Sequence, residues 1–142
     1  MTPLECLAVL ATGLFTGAAV YVSFVEHPAR MACATEIALA EWRPSYRRAT
    51  LMQAPLAILG FLFSGAASLA GSGLLWLVAG AALLAVVPFT LLVMWPTNRR
   101  LDNASLEPSS AEARELLSRW ARLHAVRTAL GLAALVLMLF AA

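Results

Sequence analysis

Four long apolar runs alternate with polar stretches along the 142 residues, at about 4–25, 49–70, 74–95 and 120–141. Each is about the twenty residues that a helix needs to cross a hydrocarbon core roughly 30 Å thick. The pattern predicts an all-α protein: a four-transmembrane-helix bundle forming a single domain, residues 1–142. The long connectors, 26–48 and 96–119, are expected to carry amphipathic surface segments.

Within the first run, Gly13 and Gly17 make a G-x-x-x-G pattern that predicts close helix approach, as do Gly60, Ser64 and Ser68 in the second. The first run is expected to stop at Glu26-His27-Pro28, since proline commonly follows a helix end. Gly71-Ser72-Gly73 predicts a tight turn. Pro88 lies deep in the third run and frees a carbonyl one turn back, predicting a bend lined by Phe89 or Thr90. That run closes at Trp95-Pro96-Thr97-Asn98-Arg99-Arg100. Ser109 or Ser110 is expected to cap a helix that starts polar and runs unbroken into the fourth span. The halves echo each other: a span closing at Pro28 or Pro96, then Trp42 or Trp120 eight residues before Thr50 or Thr128. Duplication and the shared grammar of membrane hairpins both account for this.

Composition sharpens the class. The chain is 61% hydrophobic and only 13% charged, against about 25% charged in soluble domains. A net charge of +2 gives no reason to expect a nucleic-acid partner. The first run lacks a basic leader and carries Glu5, so it reads as a retained span rather than a signal peptide. Every charge except Glu5 falls in 26–48 or 99–127. The positive-inside rule therefore predicts both long connectors in the cytoplasm and both termini outside, in a bacterial inner membrane. Cys6 and Cys33 belong near opposite ends of the first span, too far apart for a disulfide.

The chemistry concentrates in the stretch from Ser118 to Arg127. Trp120, His124 and Arg127 follow i, i+4, i+7 spacing and share one helix face. Arg127 precedes the last residue by 15 positions, or roughly 22 Å of helix at ~1.5 Å per residue. At that depth a cation costs ~2.5–3.5 kcal/mol unless it has partners or a wet cavity. No Walker loop, G-x-S-x-G, H-E-x-x-H or C-x-x-C motif is present. The intramembrane polar set is Tyr21, Thr90, His124 and Arg127; Asn98, Trp42, Trp95, Trp120, Arg47 and Arg48 lie at the rim. A pocket so lined suits a flat, partly polar, lipid-soluble ligand. Arginine holds an enolate, phenolate or carboxylate, and histidine moves a proton near neutral pH. Ordinary interfacial anchoring also accounts for rim Trp and Arg; Arg127 and His124 escape it by depth.

Pro88-Phe89-Thr90, then Pro96-Thr97-Asn98-Arg99-Arg100-Leu101, then Trp120-x-x-x-His124-x-x-Arg127 resembles the pattern of the anthrone-oxygenase-like family of small four-helix membrane proteins. His27-Pro28 and Trp42 fit it too. Fungal members are associated with oxidising anthrones to anthraquinones with dioxygen, without an established cofactor. The resemblance implies an oxygenase acting on an anthrone, hydroquinone or polyketide-like aromatic, with dioxygen as co-substrate. His124 would deprotonate an acidic C–H, and Arg127 and Asn98 would stabilise the enolate. Trp42 and Trp120 would stack on the substrate, with Tyr21, Thr90 and Arg47 completing the binding site. The family pattern takes Asn or His at the position of His124, so His here leaves room for different chemistry.

Two other readings stay open from the residues. One is a non-enzymatic carrier or membrane assembly partner whose arginine rim meets another protein, with oligomerisation an open possibility. The other is a haem or quinone protein using His27 and His124. The partners expected are the lipid bilayer and a small aromatic or lipid-soluble ligand.

Overall fold

The computed structural model describes residues 1–142, all helix and turn. Four helices are long and apolar enough to cross a membrane: α1 (Pro3–Met31), α2 (Thr35–Ser72), α3 (Leu74–Asp102) and α4 (Ala111–Ala141). They run up, down, up, down. Each packs on its neighbours in sequence, α1 closes the ring against α4, and the diagonal α2–α4 contact is slight. Large apolar side chains such as Leu51, Leu69, Leu92 and Phe140 point outward. That arrangement suits lipid as solvent.

The connectors are shorter than expected, because the helices extend into them. Residues 35–48 are not a separate surface helix; they form the first turns of α2, with Ala38, Leu39 and Trp42 buried. Helix α1 likewise does not stop at Pro28. A wide π-helical turn, Val22–Glu26, precedes His27-Pro28, and another, Thr90–Met94, precedes Trp95-Pro96. A proline ring clashes with the carbonyl four residues back and offers no N–H. Widening the preceding turn moves that carbonyl aside, so both helices run on to Met31 and Asp102. At Pro88 the relief comes as a break at Ala85, and Thr90 Oγ1 donates to the Val86 carbonyl at 2.8 Å.

Helix ends are well served. Thr2 and Glu5 form a capping box, and Ser110 Oγ accepts from Ala113 N at 3.0 Å. Gly71 and Gly73 both sit at φ 101°, a conformation that favours glycine, which makes the turn at 71–73 possible. At the opposite end, Arg114 of α4 donates to the carbonyls of Met31 (2.6 Å) and Cys33 (3.2 Å) at the close of α1. Arg43 of α2 donates to those of Leu101 (3.0 Å) and Asn103 (3.1 Å) at the close of α3. Each hairpin thus satisfies orphan carbonyls of the other.

Small residues set the helix spacing where they face a neighbour. A β-carbon on Gly80 would lie 1.9 Å from Ser64 Oγ and 3.3 Å from Phe61 Cα, so α2 and α3 touch almost backbone to backbone. A β-carbon on Gly60 would lie 2.5 Å from Leu83 Cδ2 and 2.9 Å from Thr12 Oγ1. Gly13 and Gly17 face open space instead, so their G-x-x-x-G pattern mediates no contact within the bundle. The largest buried apolar cluster lies at the connector end and includes Trp42, Leu101, Leu117 and Trp120.

Candidate functional site

Helices α2 and α4 stand diagonally across the bundle, and each turns one stripe inward. On α2 the stripe is Trp42, Tyr46, Ala49, Thr50 and Gln53; on α4 it is Trp120, His124 and Arg127. Because the backbones of the diagonal pair stay apart, space remains between the stripes. Val22 and Arg30 of α1 also line it.

Aromatic rings form the wall nearest the connectors. Trp42 stacks on Tyr46 with centroids 4.8 Å apart, and Trp120 stacks on His124 at 4.8 Å. Trp42 and Trp120 meet edge to face at 5.9 Å. His27 leans on Trp120 at 5.1 Å. The indole nitrogens of Trp42 and Trp120 are buried without partners.

Two arginines are buried here in opposite circumstances. Arg30 is saturated. It donates to Glu41, to Glu26 at 2.5 Å, to His27 Nδ1 at 3.0 Å and to Ser45 at 3.3 Å, with Trp120 5.7 Å from its guanidinium carbon. Two carboxylates neutralise it. Arg127 is 8% exposed and pairs with no carboxylate. It donates once, to Gln53 Oε1 at 2.8 Å, and its guanidinium carbon sits 5.9 Å from the Phe15 ring. Its Nε has no partner. The site therefore holds a buried positive charge without a counter-ion.

Two cavities meet at that charge. The polar one, about 20 Å³, is lined by the two stripes and Arg30. The second, about 110 Å³, is mostly apolar, with Phe15, Ala54, Ala57, Val86, Val87 and Leu91 in its wall and Thr90 beside the Pro88 bend. Thr50, Gln53 and Arg127 line both. The Arg127–Gln53 bond is thus part of the partition between a polar and an apolar chamber.

Of the residues singled out from sequence, Trp42, Trp120, His124 and Arg127 lie together around the polar cavity. Asn98 is one step removed: its amide donates to Tyr46 Oη at 3.1 Å, and Tyr46 lines the cavity. Thr90 lines the apolar chamber. Tyr21 is 55% exposed and borders an outer groove with Ile37 and Glu41. Arg47 points outward and pairs with Asp102 at 2.8 Å. Neither Tyr21 nor Arg47 touches the cavities. Sequence reasoning passed over Gln53, Arg30, Tyr46, Ser45 and Ser23. Gln53 was discoverable as a lone amide inside an apolar run, and Arg30 through its i, i+4 relation to Glu26.

A family model described as anthrone oxygenase matches residues 42–137, more than half of the chain. The chain belongs to the anthrone oxygenase family. Anthrone oxygenase tpcL of Aspergillus fumigatus is 34% identical over 134 residues, covering 87% of this chain and 83% of that protein. An anthrone oxygenase of Claviceps purpurea is 29% identical over 143 residues, covering 90% and 82%. No solved structure matches the chain. The anthrone oxygenase match begins at Trp42 and takes in α3 and nearly all of α4, hence both stripes; Ser23, His27 and Arg30 lie before it.

Proposed function

We propose that this protein oxidises a flat, lipid-soluble aromatic of the anthrone, hydroquinone or polyketide-like kind with dioxygen. The observation that carries this reading is Arg127: a buried guanidinium with no carboxylate, one neutral partner and a free Nε–H, beside an imidazole. Such a charge attracts an anion, and deprotonating the substrate generates one in place. The names of the relatives supply the substrate class.

In this scheme His124 takes a proton from the methylene between two aromatic rings, and Arg127 receives the charge on the enolate oxygen. The electron-rich carbon reacts with dioxygen, which partitions into the apolar chamber. One oxygen atom stays on the carbon as a ketone and the other leaves as water, so the methylene and dioxygen are fully accounted for. Trp42 and Trp120 supply the stacking wall. Asn98 acts by holding Tyr46 rather than by meeting the substrate. Neither chamber is large enough for a three-ring molecule, since pockets for such ligands run from about 300 Å³. Binding therefore requires Arg127 to exchange Gln53 for the substrate oxygen, joining the chambers. The charge of the connectors supports a cytoplasmic orientation for this end of the bundle, with both termini outside.

Oxygen uptake by detergent-purified protein against a panel of anthrones and hydroquinones tests the scheme. With an anthrone, the expected result is one dioxygen consumed per product, with label from ¹⁸O₂ in the new ketone. Tight retention of an aromatic with no oxygen uptake across the panel would overturn it in favour of a carrier.

A further inference from the structure

His124 works as a base only if the nitrogen facing the cavity carries no proton, and an imidazole has two tautomers. We propose that Ser23 and Thr128 are positioning residues that keep the His124 proton on Nδ1 and leave Nε2 bare toward the polar cavity. As a device for catalysis this rests on the oxidation reading above; as a statement about the tautomer it does not.

A chain of hydrogen bonds carries the inference. Thr128 Oγ1 lies 3.2 Å from the Ala19 carbonyl and 3.3 Å from the His124 carbonyl. Both are pure acceptors, so the single Thr128 proton goes to one of them. Pointed toward Ser23, that proton would leave both carbonyls facing the Thr128 oxygen with no proton between; pointed at one of them, it leaves only one so. Toward Ser23 Oγ, 2.8 Å away, Thr128 is therefore the acceptor and Ser23 the donor. With its own proton spent, Ser23 Oγ can only accept from His124 Nδ1, at 3.1 Å. Nδ1 must then bear the hydrogen. His124 Nε2 has no protein partner, lies on a cavity-lining residue and, unlike His27 Nε2, is not walled in. Ser23 sits in the wide turn of α1, the kind of irregular helix that recurs at functional sites. Thr128 follows His124 by one turn.

The order of donors makes an unusual prediction. Thr128→Val removes the acceptor for Ser23, so the Ser23 hydroxyl turns to donate to Nδ1 and the proton moves to Nε2. Ser23→Ala removes the relay and leaves a mixture. The double variant should match Ser23→Ala rather than add to it. Solid-state ¹⁵N NMR of histidine-labelled, full-length protein in lipid distinguishes the two ring nitrogens by protonation. His124 is assigned by its absence from His124→Asn. The parent should show protonated Nδ1 and bare Nε2, Thr128→Val the reverse, and Thr128→Ser the parental pattern. A parent protonated at Nε2 would overturn the proposal, as would a Thr128→Val spectrum like the parent's. If Thr128→Val fails to fold, a single parental tautomer in Ser23→Ala overturns it equally. The spectra need no substrate. The parental pattern without any aromatic oxidation would leave this inference standing and remove the proposed function; the opposite pair of results would do the reverse.

Discussion

Replacing Arg127 with methionine should leave the bundle close to its parental stability while removing turnover. The guanidinium gives up one hydrogen bond to Gln53 and its contact with Phe15. A hydrogen bond to a charged group contributes about 1.5–3 kcal/mol, and a cation over an aromatic ring about 0.5–2 kcal/mol. Against that loss, removing an intramembrane cation relieves ~2.5–3.5 kcal/mol. The opposing terms, about 2–5 and ~2.5–3.5 kcal/mol, differ by no more than about 2.5 kcal/mol. Gln53→Leu behaves differently: the charge stays buried and loses its only hydrogen-bond partner, which costs about 1.5–3 kcal/mol. The double variant should recover most of that cost, a coupling that exposes the pair as one unit. Stability is read from denaturation in mixed micelles by fluorescence of the four tryptophans, and turnover from oxygen uptake. Loss of an electrostatic stabiliser of the developing oxyanion lowers the rate by about 10²–10³-fold. If Arg127→Met unfolds more than about 3 kcal/mol more easily while Gln53→Leu is neutral, Arg127 is a structural tie and the site assignment falls with it.

Three further outcomes are expected. In a Cys6→Ser variant, the exposed Cys33 should resist a membrane-impermeant thiol reagent in intact cells and react once they are opened; labelling from outside reverses the orientation. Gly80→Ala, which drives a β-carbon to 1.9 Å from Ser64 Oγ and crowds Phe61, should cost about 1–3 kcal/mol in the same denaturation assay. Gly13→Ala, with nothing within 4 Å, should be neutral or stabilise by up to about 1 kcal/mol; equal effects at the two glycines would refute the packing account. The purified protein should show no Soret band, and one that survives washing would favour a haem held by His27 or His124.

The four spans were legible because apolar runs of membrane length have few alternatives. The facing of the small residues was not. Gly13/Gly17 and Gly60/Ser64 have the same spacing, yet only the second pair meets a neighbour, because spacing defines a stripe without saying what lies opposite. The Trp120, His124 and Arg127 stripe was visible from helical periodicity. Its partners across the bundle were not, since Gln53 and Ser23 matter through contacts 74 and 101 residues away in sequence. The expected stop at Pro28 misjudged proline: a widened turn lets α1 run on past Pro28 to Met31, and α2 carries Pro44 and Pro55 within its length. Arg43 and Arg114 read as topology signals and also cap helix ends.

The widened turn at Val22–Glu26 can be thought of as a spare residue threaded into α1. Deleting one amino acid there would leave a regular helix with a smoother hydrogen-bond ladder, and the loss would hardly register in hydropathy. It would also turn everything beyond that point by about 100° relative to everything before it. Either Ala8, Phe15 and Ala19 would leave the interior, or His27 and Arg30 would swing out toward lipid. Arg30 would then abandon Glu41 and the Trp120 face. Insertions and deletions in this short segment are therefore far more disruptive than substitutions, although only Ser23 and Glu26 in it bond to the site through their side chains.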